Sequence, residues 1–269
     1  MLDGAVADGT ARPNTEDPIR AGMKQALEEM IAFAQKLIDT DVAPEKIWFR
    51  NLLIGVLNST RQNYRSVEIG TAKMPPMASR GARNLLELRV STTYVLRSEA
   101  DALNFKDDFA ADLKEFWEAM KDSSEFVHKK LVAEMRVFAA SQSEPLRSAW
   151  LDKASEMEQS GPDLTGPVEE METYRKLMED FGIDPKRRPS QGSKIAEMVN
   201  ESEMFKPRFK IHSKIVHPTA LSIAATTMPH SLDALMPLIY SEACNDLLAI
   251  FYGIKEHIDA HGVGWPAQP

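Results

Sequence analysis

Apolar residues recur at spacings of three and four along most of the chain, and nowhere do they alternate over a run long enough for a sheet. The first stripe is Ile19, Met23, Leu27, Met30, Ala34 and Leu37, with Asp17 as an N-cap and Pro18 as the first helical residue. Pro44 opens a second helix whose core side carries Ile47, Trp48, Leu52, Leu53, Val56 and Leu57. KMPPMASRG then breaks the chain before a helix from about Ser79 to Asp101. Leu85, Leu86, Leu88, Val90, Val95 and Leu96 spread around that helix, which marks it as the central element. Residues 104–121 place Phe105, Phe109, Leu113, Phe116 and Met120 on one side, and a separate helix is predicted over about 124–140. A weaker helix covers Leu146 to Met157. The loop SGPDLTGP leads into another, which carries Val168, Met171, Leu177, Met178 and Phe181 and stops near Gly182.

The late part of the chain is built around KPRFKIHSKIVHPT, residues 206–219. Its helix is predicted to start near Pro207 and to end at or just before His217, because Pro218 disfavours α geometry in the residue before it. The last helix runs from about Ser231 to Ala260, restarts or kinks at Pro237, and is stopped by Gly262. These elements predict an all-α fold, a single multi-helix bundle over residues 17–261. A disordered segment, 1–16, precedes it and a loose tail, 262–269, follows it.

Two polar lines depart from the apolar pattern. Asn51, Gly55, Asn58, Gln62 and Arg65 read first as a solvated face and second as the wall of a cleft. Arg80, Arg83, Asn84, Glu87, Ser91 and Tyr94 lie on the otherwise apolar central helix, where Arg83 and Glu87 are spaced for an ion pair. Burying ions costs several kcal/mol each unless partners compensate, so this pair implies either a register-setting salt bridge or a carboxylate held for chemistry. His212 and His217 are five residues apart, about 140° around a helix, so they do not converge on one ligand. His217 falls at a helix C-terminus, where the dipole favours a protonated imidazole.

Composition narrows the classes. A hydrophobic fraction of 43% and a charged fraction of 27% describe a globular protein, and a net charge of −8 argues against nonspecific binding to nucleic acid or membranes. Lys186, Arg187 and Arg188 form a local basic patch, so an RNA or phosphate contact stays open as a minor reading. Lone Cys244 fits a reducing compartment, and with no apolar signal core and no bilayer-length run the expected location is cytoplasmic. Glu125 and His128 match a di-iron Glu-x-x-His spacing, but that site needs a second such motif, and no other histidine has Glu three positions before it. Zinc, Walker A, dinucleotide and nucleophile-elbow motifs are absent as well, so no metal and no cofactor are expected.

The pairing of Arg83, Asn84 and Glu87 with the late HSKIVHPT segment resembles bacterial all-helical proteins of uncharacterised function, some loosely similar to the HEPN group of helical nucleases. The likeness covers mainly residues 79–98 and 205–220. Active HEPN nucleases carry Arg followed by His after four to six intervening positions, and none of the six histidines here has Arg at that spacing. The reading that best fits the residues is a ligand-sensing or protein-interaction module, open to homodimer formation, in which Arg83, Glu87 and His217 form a buried polar network. The alternative is a HEPN-like hydrolase or nuclease. There His217 acts as general acid or base, Glu87 orients it, and Arg83, Tyr94, Arg208, Ser213 and Lys214 line an anionic ligand.

Overall fold

The computed structural model describes residues 18–180, 183–184, 190–217 and 232–265, and all regular structure among them is helical. The predicted disordered segment, the basic patch at 186–188 and the TALSIAATTM stretch lie outside the described residues. The contacts divide the chain into two compact units, residues 1–99 with 192–269 and residues 100–191.

In the first unit, α1 (Pro18–Asp39) and α2 (Ile47–Lys73) are joined through a 3-10 turn at Pro44–Lys46. A single residue, Met74, separates α2 from α3 (Pro75–Arg97), and at φ −145° and ψ 81° it is out of the α region, which a following proline disfavours. The short α7 (Gly192–Met198), α8 (Ser202–Val216) and α9 (Met236–His261) complete the unit. α3 is the centre of this bundle and packs against α2, α7, α8 and α9, as its all-round apolar pattern implies. The close crossing of α2 and α3 depends on Gly81, where a Cβ would stand 2.6 Å from the Asn63 carbonyl oxygen. Phe49, Leu53, Tyr64, Leu85, Leu86 and Phe205 are among the side chains sealed in the core, and each fully buried apolar side chain contributes about 1.5–3 kcal/mol.

Two expectations change here, the start of α8 and the looseness of the tail. α8 begins at Ser202, so Pro207 lies inside the helix instead of opening it. The C-terminal boundary holds: His217 caps α8 with ψ 152°, and its N–H reaches Ser213 O at 3.1 Å. Pro237 marks a restart, since a 3-10 turn at Asp233–Leu235 gives way to α9 with proline in its first turn. Gly262, at φ 62°, ends α9, but the chain beyond it is not loose throughout. Trp265 packs at a tilt against Phe49, ring centroids 4.1 Å apart, and donates its indole N–H to Val95 O at 3.1 Å.

The second unit contains most of α4 (Glu99–Ala140), α5 (Leu146–Ser160) and α6 (Thr165–Asp180). The predicted break near residue 122 does not occur, because Ser123-Ser124 brings neither glycine nor proline and the 42-residue helix runs through it. Phe116 and Met120, on the apolar side read for residues 104–121, are 53% and 41% exposed. α4 buries small side chains instead: Ala111 meets Met178 of α6, and Val132 and Ala139 are covered. No helix among the described residues is long and apolar enough to cross a membrane.

Candidate functional site

α8 carries Arg208 and His212 four residues apart, and α9 carries Glu242 and Asp246 four residues apart. Each pair therefore lies on one helix face, and the two faces meet beside α3. Arg208 makes a two-pronged contact with Asp246, Nη1 to Oδ1 at 3.0 Å and Nη2 to Oδ2 at 2.5 Å. The Asp246 side chain is fully buried, and Arg89 of α3 reaches its Oδ1 at 3.3 Å while holding Glu201 at 3.2 Å. Glu242 stands 3.3 Å from Arg208 Nε and 3.4 Å from His212 Nε2. Both contacts are within ion-pair distance but outside hydrogen-bond geometry. Burial pushes the Glu242 carboxyl up, yet the His212 and Arg208 contacts outweigh it and hold the group below its ordinary range. Burial likewise opposes the Arg208 charge, and Asp246 with Glu242 overcomes that too, raising its pKa.

His212 is fully buried, and its Nδ1 lies 3.0 Å from the Ser79 hydroxyl. Serine, histidine and carboxylate thus stand in a line that resembles a hydrolytic triad. The surroundings argue against that chemistry. Ser79 and His212 have no exposed surface, and the Ser79 hydroxyl also reaches His212 O at 3.4 Å. A nucleophile needs room for the atom it attacks, and none of the cavities at α1–α9, α1–α2, α2–α3 or α3–α7 is lined by Ser79, His212 or Glu242. The line is a packed polar seam.

The residues singled out from sequence separate into groups. Arg83 joins Glu87 at 3.1 Å and places Nη1 3.4 Å from His217 Nε2, so the three do assemble at the surface with the guanidinium between carboxylate and imidazole. Arginine only donates, so this contact is a hydrogen bond only when His217 Nε2 presents its lone pair. The same guanidinium lies 4.3 Å over the Phe209 ring. Glu87 keeps 40% of its side chain exposed and His217 is exposed, so the cluster is not the buried network expected for it. Tyr94 is buried with Arg97 over its ring at 5.4 Å, and Arg208 belongs to the α8–α9 seam. The Ser213 hydroxyl is buried with no hydrogen-bond partner among the described residues, and Lys214 is exposed. Asn84 of the second polar line donates at 2.8 Å to Asn63 of α2, a residue outside the first line. Asn51, Gly55, Asn58, Gln62 and Arg65 are all exposed, which makes that line a solvated face.

Another cavity among the described residues is lined by none of these side chains. A groove of about 680 Å³ runs between α1 and α9, with Met23, Ala26, Pro237, Cys244, Leu248 and Tyr252 among its walls. Its polar groups are Gln25 and Glu29 on the α1 rim and, on α9, Ser241, Asn245, the Cys244 thiol and the Tyr240 and Tyr252 phenols; the Tyr240 hydroxyl lies 2.9 Å from that of buried Tyr64. Burial raises the Tyr64 and Tyr240 pKa values, so each remains a neutral hydroxyl at physiological pH. Among the described residues no lysine or arginine lines the groove. Among the described residues no group of three or more His, Cys, Asp or Glu is placed to hold a metal.

No family model, curated protein or solved structure matches this chain. The seam residues missed from sequence are Glu242, Asp246, Ser79, Arg89 and Glu201. Asp246 did leave a signal, since it interrupts the apolar series Ile239, Ala243, Ile250 and Ile254 at a core position of α9.

Proposed function

We propose that this chain is a non-catalytic binding module whose first unit takes a compact, mainly apolar, uncharged or cationic molecule in the groove between α1 and α9. The observation that carries this reading is the groove itself. Its volume lies within the range of small-molecule sites, its walls are largely apolar, and a neutral phenol stands among a few amide and hydroxyl groups. With Glu29 on the rim and no cation among the described lining residues, an anionic ligand is disfavoured. Several groups capable of acid–base chemistry elsewhere in the unit are committed to one another. Asp246 takes up Arg208, Ser79 and Glu242 flank His212, and Arg83 spans Glu87 and His217. Such pairing favours a rigid frame over turnover, and the HEPN-like alternative would need that pairing undone.

The test is titration of the full chain with Nile red, a neutral apolar fluorophore, in parallel with an anionic naphthalene sulfonate dye. Saturable binding of the neutral probe and weaker binding of the anionic one are expected. Gly22 lines the groove, and a Cβ there meets nothing within 4 Å. Gly22→Trp should therefore fill the groove without displacing backbone and weaken the neutral probe at least about tenfold, equivalent to about 1.4 kcal/mol. Unchanged affinity in that variant would remove the groove as the site.

A further inference from the structure

The close crossing of α2 and α3 at Gly81 leaves a cavity beside it. The cavity holds about 570 Å³ and lies between the C-terminal half of α2, the first turns of α3 and the end of α8. That volume is within the roughly 300–1,000 Å³ of small-molecule sites. Met74, Pro76, Met77 and Val216 form its apolar wall. Met74, at the junction of the two helices, is 55% exposed, and a methionine there has the flexibility to fold over an occupant.

The polar wall carries Arg80 and Asn84 of α3 and, across the crossing, Asn63 and Ser66 of α2. The two amides are held in series. Asn84 Nδ2 donates to Asn63 Oδ1 at 2.8 Å, and Asn63 Nδ2 donates to Ser59 O at 2.9 Å. Each side-chain amide has two N–H groups, so the series fixes both residues and leaves one donor on each for a ligand. Arg80 is exposed, and no carboxylate among the described residues pairs with it. Arg83, three residues on, differs in that Glu87 takes up its charge at 3.1 Å. No Asp or Glu lines the cavity among the described residues. The walls therefore set one uncompensated positive charge and spare N–H donors against an apolar surface.

We propose that this cavity is a second ligand site, which takes a small carboxylate with an apolar body. A planar guanidinium matches a carboxylate through two parallel hydrogen bonds, and Arg80 supplies it. Asn63 and Asn84 add further donors, while Met74, Met77 and Val216 cover the hydrocarbon part. One cation balances one carboxylate, whereas a phosphate dianion would keep a charge unpaired. The proposal does not rest on the groove between α1 and α9, whose lining disfavours anions.

Its test follows the side-chain amide signals of Asn63 and Asn84 in proton–nitrogen correlation spectra while hexanoate is added to the full chain. Saturable shifts of both signals are expected. Acetate, the headgroup alone, and hexanol, the uncharged counterpart, should each bind there at least about fivefold more weakly. Arg80→Gln, a change at an exposed helical position, should weaken hexanoate at least about fivefold and leave hexanol unchanged. Gly22→Trp, in the other groove, should leave hexanoate unchanged. Absence of saturable shifts at the two amides overturns the site, as does hexanoate binding that ignores Arg80→Gln or is lost in Gly22→Trp. Inorganic phosphate, acetate or hexanol binding there as tightly as hexanoate overturns the ligand class.

Discussion

Asp246 offers the sharpest test of what holds the first unit together. Its side chain is fully buried and receives two guanidinium groups, from Arg208 with 12% of its side chain exposed and from Arg89 with 26%. Asp246→Asn keeps the shape and removes the charge, which leaves two cations facing each other across a neutral amide. Breaking a buried ion pair from one side costs about 3–5 kcal/mol. Here Glu242 still faces Arg208 and Glu201 still faces Arg89, so the lower end applies, about 3 kcal/mol. That is a large part of the 5–15 kcal/mol typical of a folded protein. Urea unfolding of the wild type, Asp246→Asn, Arg208→Met and the double variant measures it. Because the two side chains share one contact, the double variant should cost less than the sum of the singles by at least about 1 kcal/mol. A loss below about 1 kcal/mol for Asp246→Asn, or strict additivity in the double variant, would refute the claim that this pair organises the interface. As a control, Asp259→Asn breaks the exposed Lys255–Asp259 pair and should leave the midpoint unmoved.

Two further outcomes follow from the same structure. The folded-state pKa of Glu242 lies below its ordinary value of 4.5, so its contribution is complete above that value and is lost as pH falls through the lower folded-state value. Unfolding free energies measured from neutral pH into acid should therefore converge between wild type and Glu242→Gln below about pH 4.5, and a constant gap would contradict the assignment. Gly81 and Gly55 supply a matched pair of helix glycines. Gly81→Ala forces a Cβ against the Asn63 carbonyl and should cost about 1–3 kcal/mol, whereas at Gly55 the Cβ meets nothing within 4 Å and alanine should stabilise by up to about 1 kcal/mol. Equal effects of the two substitutions in thermal unfolding would count against the close crossing of α2 and α3.

Much of the helical layout was legible because each helix carries its own period and its own punctuation. Pro18 and Pro237 lie in the first turns of their helices and Gly262 ends one, all by local backbone chemistry that needs no tertiary information. The KMPPMASRG stretch read as a break, by contrast, already starts α3 at Pro75, four residues before the expected Ser79. Where local signals were weak, the boundaries moved. Ser123-Ser124 was too mild to stop α4, and Pro207 was accommodated a turn into α8. The division into two contact units leaves no mark in composition. Trp265 shows a different limit: a tail rich in glycine and proline reads as loose, and only the Trp48–Phe49 surface gives its indole a place to dock.

The site was legible by residue type more than by residue number. The expectation of a polar network joining the RNxxE helix to the HSKIVHPT helix placed it on Arg83, Glu87 and His217, which meet at the surface. The buried version is one face over, on Arg208, His212, Glu242 and Asp246. The reason is geometric. Arg83 and Glu87 satisfy each other along a single helix, so they need no burial and can stay in water. Asp246 has no cation at the i±3 or i±4 positions of its own helix, so only arginines from α3 and α8 can neutralise it. A carboxylate on an apolar stripe with no local partner must be met from another helix, and the helix that meets it is fixed in register as a result. That makes Asp246 the residue at which sequence pattern, tertiary packing and the rigidity of the groove-bearing unit are most directly coupled.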